Sequence, residues 1–199
     1  MTVGMSGKKS QFVSRAGDKL SAALDAFGLD VAGWTCADFG CNVGGFTDCL
    51  LRRGAAKVFA VDTGYGALAW PLRKDPRVVV MERTNVLYCP VPQPVDLVVI
   101  DVAWTPQELV VPAAMRWLNP PASPRGGGQI LSLVKPHYEL AKSSGQKPGR
   151  VLTPAEARQV CLQTSARLEE QGCRVRAAMQ SALIGKGGNL EFVLHVVPR

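Results

Sequence analysis

Apolar and polar residues alternate along the chain with two periods, one typical of helices and one typical of buried strands. The first helical pattern follows a polar, basic N-terminus. Its apolar positions are Leu20, Ala23, Leu24 and Phe27. We expect Ser14 to cap this helix and Gly28 to end it, because serine accepts hydrogen bonds from free N–H groups and glycine adopts the left-handed conformation that ends helices.

Beyond this helix, short apolar runs alternate with amphipathic ones. The predicted strands are a run that ends at Asp38 and residues 57–62, 77–82, 95–101, 129–135, 173–183 and 190–197. The predicted helices run from the glycine turn to Gly54, over 67–73, after Pro106, and from a capping box at Thr153 to about Gln171. The turn at 185–188 allows an antiparallel hairpin. The expected fold is therefore α/β, a parallel sheet with an antiparallel edge strand, and 119–128 and 136–150 are its loosest segments.

Length and composition fit one globular domain. The chain has 199 residues, 47% of them hydrophobic, and we expect a flexible basic tail over 1–10 and a single domain over 11–199. Because no apolar run reaches the roughly 18 residues of a membrane span and no apolar signal core is visible, we expect a cytoplasmic protein without a membrane partner. The six cysteines lie at no zinc spacing, which predicts reduced thiols and no metal site.

The charge balance narrows the choice of partner. Lys and Arg total 23 against 16 Asp and Glu, a net charge of +7. This excess favours polyanionic partners such as RNA through non-specific attraction. Many basic domains bind no nucleic acid, so charge alone leaves RNA binding open.

A glycine-rich turn follows the first predicted strand. It reads DFGCNVGG over residues 38–45, so its spacing is G-x-x-x-G-G and not the G-x-G-x-x-G of dinucleotide sites. Asp62, at the end of the next strand, is suited to ribose hydroxyls. The pattern favours S-adenosyl-L-methionine, with its carboxylate at the helix N-terminus and its ammonium group on Asp38, although tight packing alone also explains such glycines. The candidate contacts in and after the turn are Asp38, Gly40, Cys41, Asn42, Gly44, Gly45 and Phe46.

Other polar residues lie near the ends of later strands. Asn85 can recognise an adenine edge or can be an ordinary turn residue. Asp101 and Lys135 end two strands, at the edge where open α/β sheets bind ligands. Glu191 begins an almost continuously apolar run, so its carboxylate requires a nearby cation if it is buried.

Six segments in the right order resemble one family. They are VSRAGDKL (13–20), GGFTDCL (44–50), VDTGYG (61–66), MERTN (81–85), LVKP (133–136) and GNLEF (188–192). Over residues 11–197 the chain resembles the TlyA branch of the FtsJ-type methyltransferases. The resemblance implies a Rossmann-like, seven-stranded, S-adenosyl-L-methionine-dependent enzyme that methylates the ribose 2′-hydroxyl of cytidine in ribosomal RNA. It also implies a catalytic tetrad of Lys19, Asp101, Lys135 and Glu191, with Asp101 shared with the cofactor site.

The chain departs from these relatives in three places. They usually carry an N-terminal RNA-binding domain for which this chain has no room, so we expect either a separate RNA-binding protein or an altered substrate. Trp104 stands after Asp101 where the family commonly has Ser-Phe, and it is suited to stacking on a base or to the core. His137 and Tyr138 replace the usual Gln and Phe.

The tetrad suggests how a hydroxyl is activated. Lys135 is the candidate base, and burial beside the like charge of Lys19 favours its neutral form, whereas Asp101 and Glu191 oppose it. Alternatively, the two lysines orient the ribose and stabilise developing negative charge.

Rival functions have weaker support in the sequence. Asn119-Pro120-Pro121 and Cys89-Pro90 only partly match the motifs of amino-group and ring-carbon methyltransferases. Three other functions remain as alternatives. The intact tetrad argues against a cofactor-binding scaffold without turnover, and the lack of a membrane-inserting segment argues against a haemolysin-like protein. The glycine spacing argues against a nicotinamide oxidoreductase.

Overall fold

A computed structural model describes residues 10–103, 105–143, 150–185 and 187–199. Seven strands form its sheet: β1 (Thr35–Phe39), β2 (Lys57–Val61), β3 (Val78–Met81), β4 (Leu97–Ile100), β5 (Gln129–Val134), β6 (Cys173–Gln180) and β7 (Phe192–Pro198). Six helices accompany them: α1 (Ala16–Ala26), α2 (Gly45–Arg52), α3 (Trp70–Arg73), α4 (Gln107–Met115), α5 (Pro136–Ser143) and α6 (Pro154–Glu170). The predicted strand and helix order is confirmed, with α5 as an addition.

The strand order is β3-β2-β1-β4-β5-β7-β6. Strands β1 to β5 pair in parallel, whereas β7 pairs antiparallel with both β5 and β6. The expected C-terminal hairpin therefore lies at the edge of the sheet. The antiparallel strand is β7, which lies between β5 and β6 and is therefore not the edge strand. The edge strand is β6, which runs parallel to β1 to β5.

Alternate residues of the central strands pack on opposite faces of the sheet, as the two-residue period of a strand requires. Phe39 and Ile100 join one apolar layer, and Cys36 and Leu97 join the other. On the first face Trp117 packs edge-on against Phe39, with ring centroids 5.2 Å apart. Both faces are thus covered, and the strand ends are where such a sheet is expected to bind ligands.

Most predicted helix ends agree with the structure, and one helix start differs. Thr153 and Glu156 form the predicted capping box of α6, and Gly28 ends α1 with a φ of +64°. Ser14 does not cap α1, whose N-cap is Arg15 without a side-chain hydrogen bond. A Cβ on Gly45 would lie 2.2 Å from Ser14 Oγ, so the serine hydroxyl packs against the start of α2 instead.

The expectation that 136–150 is loose is wrong for its first half, which forms α5. Residues 144–149, the tail over 1–9 and Trp104 lie outside the described residues. Within those residues, no helix is long and apolar enough to cross a membrane, and no cluster of His, Cys, Asp or Glu is arranged for a metal ion. The six cysteines are all described and form no disulfide.

Candidate active site

A cavity of about 520 Å³ opens at the carboxyl ends of β1, β2 and β4. Most of the residues predicted to bind a cofactor line it: Asp38, Gly40, Cys41, Asn42, Gly45, Phe46, Asp62, Asn85 and Asp101. Gly44, the remaining candidate, is not in its wall. The sheet edge expected from the strand-end motifs is therefore where this cavity forms.

The glycines of the turn are required by close packing between loops and helices. Gly40 has a φ of +83°, and a Cβ there would lie 2.7 Å from the carbonyl oxygen of Asp101. Gly44 has a φ of +98°, and its Cβ would lie 2.3 Å from Leu72 Cδ1. Gly44 thus allows α3 to approach, while Gly40 lets the β1 and β4 loops meet at the cavity.

Asp38 supplies a buried carboxylate to the wall of this cavity. Its Oδ2 accepts hydrogen bonds from the Thr47 backbone N–H (2.9 Å) and hydroxyl (2.7 Å). Its Oδ1 has no hydrogen-bond partner among the described residues. Complete burial raises the pKa of Asp38 to about 7, and the nearby carboxylates of Asp101 and Asp62 act in the same direction. A cationic group beside Oδ1 would satisfy this oxygen and stabilise the ionised form.

Asp62 and Asn85 organise the loops on the far side of the cavity. The Asp62 carboxylate accepts the N–H groups of Asn42 (2.9 Å) and Gly64 (2.7 Å), which leaves lone pairs on both oxygens. Asn85 Oδ1 accepts the Leu87 N–H at 3.0 Å. The turn role foreseen for Asn85 is present, and the residue also lines the cavity.

A second cavity, of about 540 Å³, contains all four residues of the predicted tetrad in its wall: Lys19, Asp101, Lys135 and Glu191. Asp101 and Lys135 also line the first cavity, so the two cavities share this part of their walls. Lys135 Nζ lies 2.6 Å from Asp101 Oδ1. A lysine–carboxylate pair therefore stands between the two spaces.

Lys19 and Glu191 form the other pair of the tetrad. Only 9% of Lys19 and 4% of Glu191 are exposed. The cation that burial of Glu191 requires is thus Lys19, which reaches it from α1 at the opposite end of the chain. A Cβ on Gly185 would lie 2.3 Å from Glu191 Oε1, so the β6–β7 loop packs directly on this carboxylate.

The family model for FtsJ-like methyltransferases matches residues 12–197. The chain belongs to the FtsJ-like methyltransferase family. Two curated relatives and one solved structure are similar to this chain over most of its length.

The 16S/23S rRNA (cytidine-2′-O)-methyltransferase TlyA of Mycobacterium tuberculosis is 42% identical over 92% of this chain and 67% of its own length. The provisionally named rRNA methyltransferase YqxC of Bacillus subtilis is 37% identical over 96% of this chain and 67% of its own. The solved structure of a provisionally named hemolysin of Streptococcus thermophilus superposes with a TM-score of 0.87 and 34% identity, covering 97% of this chain and 69% of that one. The resemblance to the TlyA branch is confirmed.

This FtsJ-like chain also contains residues that line or support the site but that sequence reasoning did not assign to it. Thr47 holds Asp38, and Ser14 and Ala16 line both cavities. His137 and Tyr138 line the second cavity with their ring centroids 4.3 Å apart. Burial and the Lys135 charge lower the pKa of His137. The position of Thr47 in the first turn of the helix after Asp38 is a signal that could have identified it.

Proposed function

We propose that this protein is an S-adenosyl-L-methionine-dependent methyltransferase that acts on the ribose 2′-hydroxyl of RNA, with cytidine of ribosomal RNA as its target. The observation that carries the proposal is the Asp101–Lys135 pair, which stands between a cavity suited to the cofactor and a cavity that holds the Lys19–Glu191 pair. The name of the TlyA relative supplies the substrate class.

The first cavity fits the proposed cofactor. Its open carboxylate oxygen, Asp38 Oδ1, would hold the ammonium group of the methionine moiety. Asp62 would bind ribose hydroxyls, and Asn85 would face the adenine. The bound cofactor supplies an electrophilic methyl group. A nicotinamide dinucleotide is a weaker candidate for this cavity. The glycine turn lacks the G-x-G-x-x-G spacing of dinucleotide sites.

The tetrad can position the acceptor hydroxyl and remove its proton. Lys135 Nζ is the proposed base that accepts the hydroxyl proton, and Asp101 Oδ1 at 2.6 Å would stabilise the ammonium group that results. The Lys19 ammonium, fixed by Glu191, faces the same cavity and stabilises negative charge that develops on the ribose oxygen. Filling the cavity with RNA excludes water and strengthens these interactions.

The charge of the protein suits the proposed substrate. With 23 Lys and Arg against 16 Asp and Glu, the net charge is +7. An excess of this sign attracts the phosphate backbone and adds affinity that falls as salt rises. Salt dependence of RNA binding is therefore expected alongside the chemistry.

The test is transfer of tritiated methyl from S-adenosyl-L-methionine to ribosomal RNA and isolated subunits. Wild type should label a ribose, and Lys135→Ala and Asp101→Ala should reduce the rate by at least a hundredfold while S-adenosylhomocysteine still binds. Lys57→Ala is the control. Lys57 is the first residue of β2, at the end of the strand opposite the cavities, and its Nζ donates a hydrogen bond to Gln93 Oε1. Near-normal transfer by either site variant would refute this mechanism. Cofactor binding without any transfer by wild type would favour the scaffold without turnover.

A further inference from the structure

The loop between β4 and α4 forms a wall of both cavities. It begins with Asp101, and Asp101 and Ala103 line the two cavities alike. Its start is fixed to β1, since the Asp101 N–H donates to the Phe39 carbonyl oxygen at 2.9 Å. The orientation of the Asp101 carboxylate therefore depends on what holds the rest of the loop.

Helix α5 holds the middle of this loop. Lys142 Nζ, in the last turn of α5, donates to the Ala103 carbonyl oxygen at 3.1 Å. Lys135 Nζ makes a longer contact of 3.5 Å with the Val102 carbonyl oxygen. Burial lowers the pKa of Lys142, and the positive charge of Lys135 acts in the same direction. An ammonium group placed here is costly and calls for a compensating negative charge.

Glu139 supplies that charge from the preceding turn of the same helix face. Only 5% of Glu139 is exposed, and its negative charge opposes the fall in the pKa of Lys142. Burial raises the pKa of Glu139 itself, against the effect of Lys142. Glu139 Oε2 also lies 3.5 Å from the backbone N of Gln107, the first residue of α4. Glu139 thus contacts the first residue of α4, and Lys142 contacts the middle of the loop.

Gln107 extends these contacts to β5, the strand that leads into Lys135. Its Nε2 donates to the Leu133 carbonyl oxygen at 3.4 Å, and its Oε1 accepts from the Ser132 hydroxyl at 2.5 Å. Gln107 is 1% exposed. One set of buried polar contacts therefore joins the loop that carries Asp101 to the strand that precedes Lys135.

We propose that Lys142 and Glu139 are positioning residues, which act through the backbone at 101–103 and through Gln107 to hold the Asp101 carboxylate against Lys135. Stability alone is a poor reason to place the buried Glu139 near the partly buried Lys142, because apolar residues of similar volume often replace buried charges without loss of stability. The expected effect of these two residues on methyl transfer rests on the proposed function, whereas their expected effect on the loop does not.

The kinetic test compares Lys142→Met with Lys142→Arg in steady-state methyl transfer to ribosomal RNA. We expect Lys142→Met to lower kcat at least tenfold, with less than a threefold change in KM for RNA, and Lys142→Arg to stay within threefold of wild type. Lys57→Met is the matched control and should leave kcat unchanged. Wild-type kcat in Lys142→Met overturns the proposal, as do equal losses in both variants accompanied by a lowered unfolding midpoint.

Hydrogen exchange provides a readout that needs no activity. In Lys142→Met and in the isosteric Glu139→Gln, the peptide over 100–107 should exchange at least tenfold faster, while the peptide over 57–61 in β2 keeps its wild-type rate. Unchanged exchange of the first peptide in both variants overturns the proposal. If wild type transfers no methyl group to RNA but exchange rises as expected, the positioning role is supported and the proposed function fails.

Discussion

Breaking the Lys19–Glu191 pair should separate its contribution to stability from its contribution to chemistry. The side chains are only 10% and 5% exposed, so removal of one partner leaves a buried charge without its counter-ion. Such a change typically costs about 3–5 kcal/mol. Replacement of both partners removes both charges, and it is often neutral or stabilising when the new side chains fill the space.

We therefore expect Lys19→Met and Glu191→Gln each to lower the free energy of unfolding by about 3–5 kcal/mol. With a urea dependence of about 2 kcal/mol per molar, the midpoint should fall by about 2 M. The double variant Lys19→Met/Glu191→Leu should return close to the wild-type midpoint. All three should lose methyl transfer, because the lysine ammonium is absent or no longer fixed.

Urea titration followed by circular dichroism measures the first effect, and single-turnover methyl transfer to ribosomal RNA measures the second. Arg150→Met is the control for an ion pair at the surface, since the Arg150 side chain is 60% exposed, and it should leave the midpoint unchanged. A double variant that is as stable as wild type and also methylates RNA at the wild-type rate would refute the catalytic role of this pair. Single variants with an unchanged midpoint would refute the stability argument.

Two further predictions concern residues around the site. Gly185→Ala should lower the free energy of unfolding by about 1–3 kcal/mol, because its methyl group overpacks against Glu191, and should slow methyl transfer at least tenfold. Gly187→Ala is the control: its methyl group has open space, but the φ of +90° should lower the free energy of unfolding by about 1–2 kcal/mol. The rate of methyl transfer should not change in this control. Full activity in Gly185→Ala would contradict this account of Glu191. The raised pKa of Asp38, about 7 against 3.8, means that the cofactor-free fold binds this proton more tightly than the unfolded chain, so its contribution to stability is lost as pH rises from about 4 past 7. Asp38→Asn should therefore flatten the fall in Tm between pH 5 and pH 8, and parallel pH profiles for the two proteins would disprove it.

The local elements were the most predictable part of the fold. The capping box at Thr153 and the glycine after α1 act within one helix turn, so the sequence records them directly. Helix α5 was missed because Gly, Pro, Ser and Lys dominate 136–150, and its eight residues owe their stability to tertiary contacts such as those of buried Glu139. The inner position of β7 is equally invisible to periodicity, because a repeat of two specifies a strand but not its neighbours.

The candidate site, like the fold, could be predicted only in part from the sequence. The strand-end rule correctly placed Asp38, Asp62 and Asp101 around one cavity. The packing roles of Gly44 and Ser14 could not be foreseen, since they depend on which helix lies against the turn. Likewise, nothing near Lys142 in the sequence indicates Ala103, its hydrogen-bond partner 39 residues earlier.

The Lys19–Glu191 contact joins residues 172 positions apart, and this separation sets an order of assembly during synthesis. Apart from Lys135, the residues that line the first cavity all lie between Ser14 and Thr105, so they emerge early. Glu191 emerges only after β6 has been synthesised. A nascent chain can thus gather most of the wall of the first cavity well before that of the second, which needs Glu191. Pairings between residues far apart in sequence also tend to form slowly, so the second cavity should be the later of the two to form.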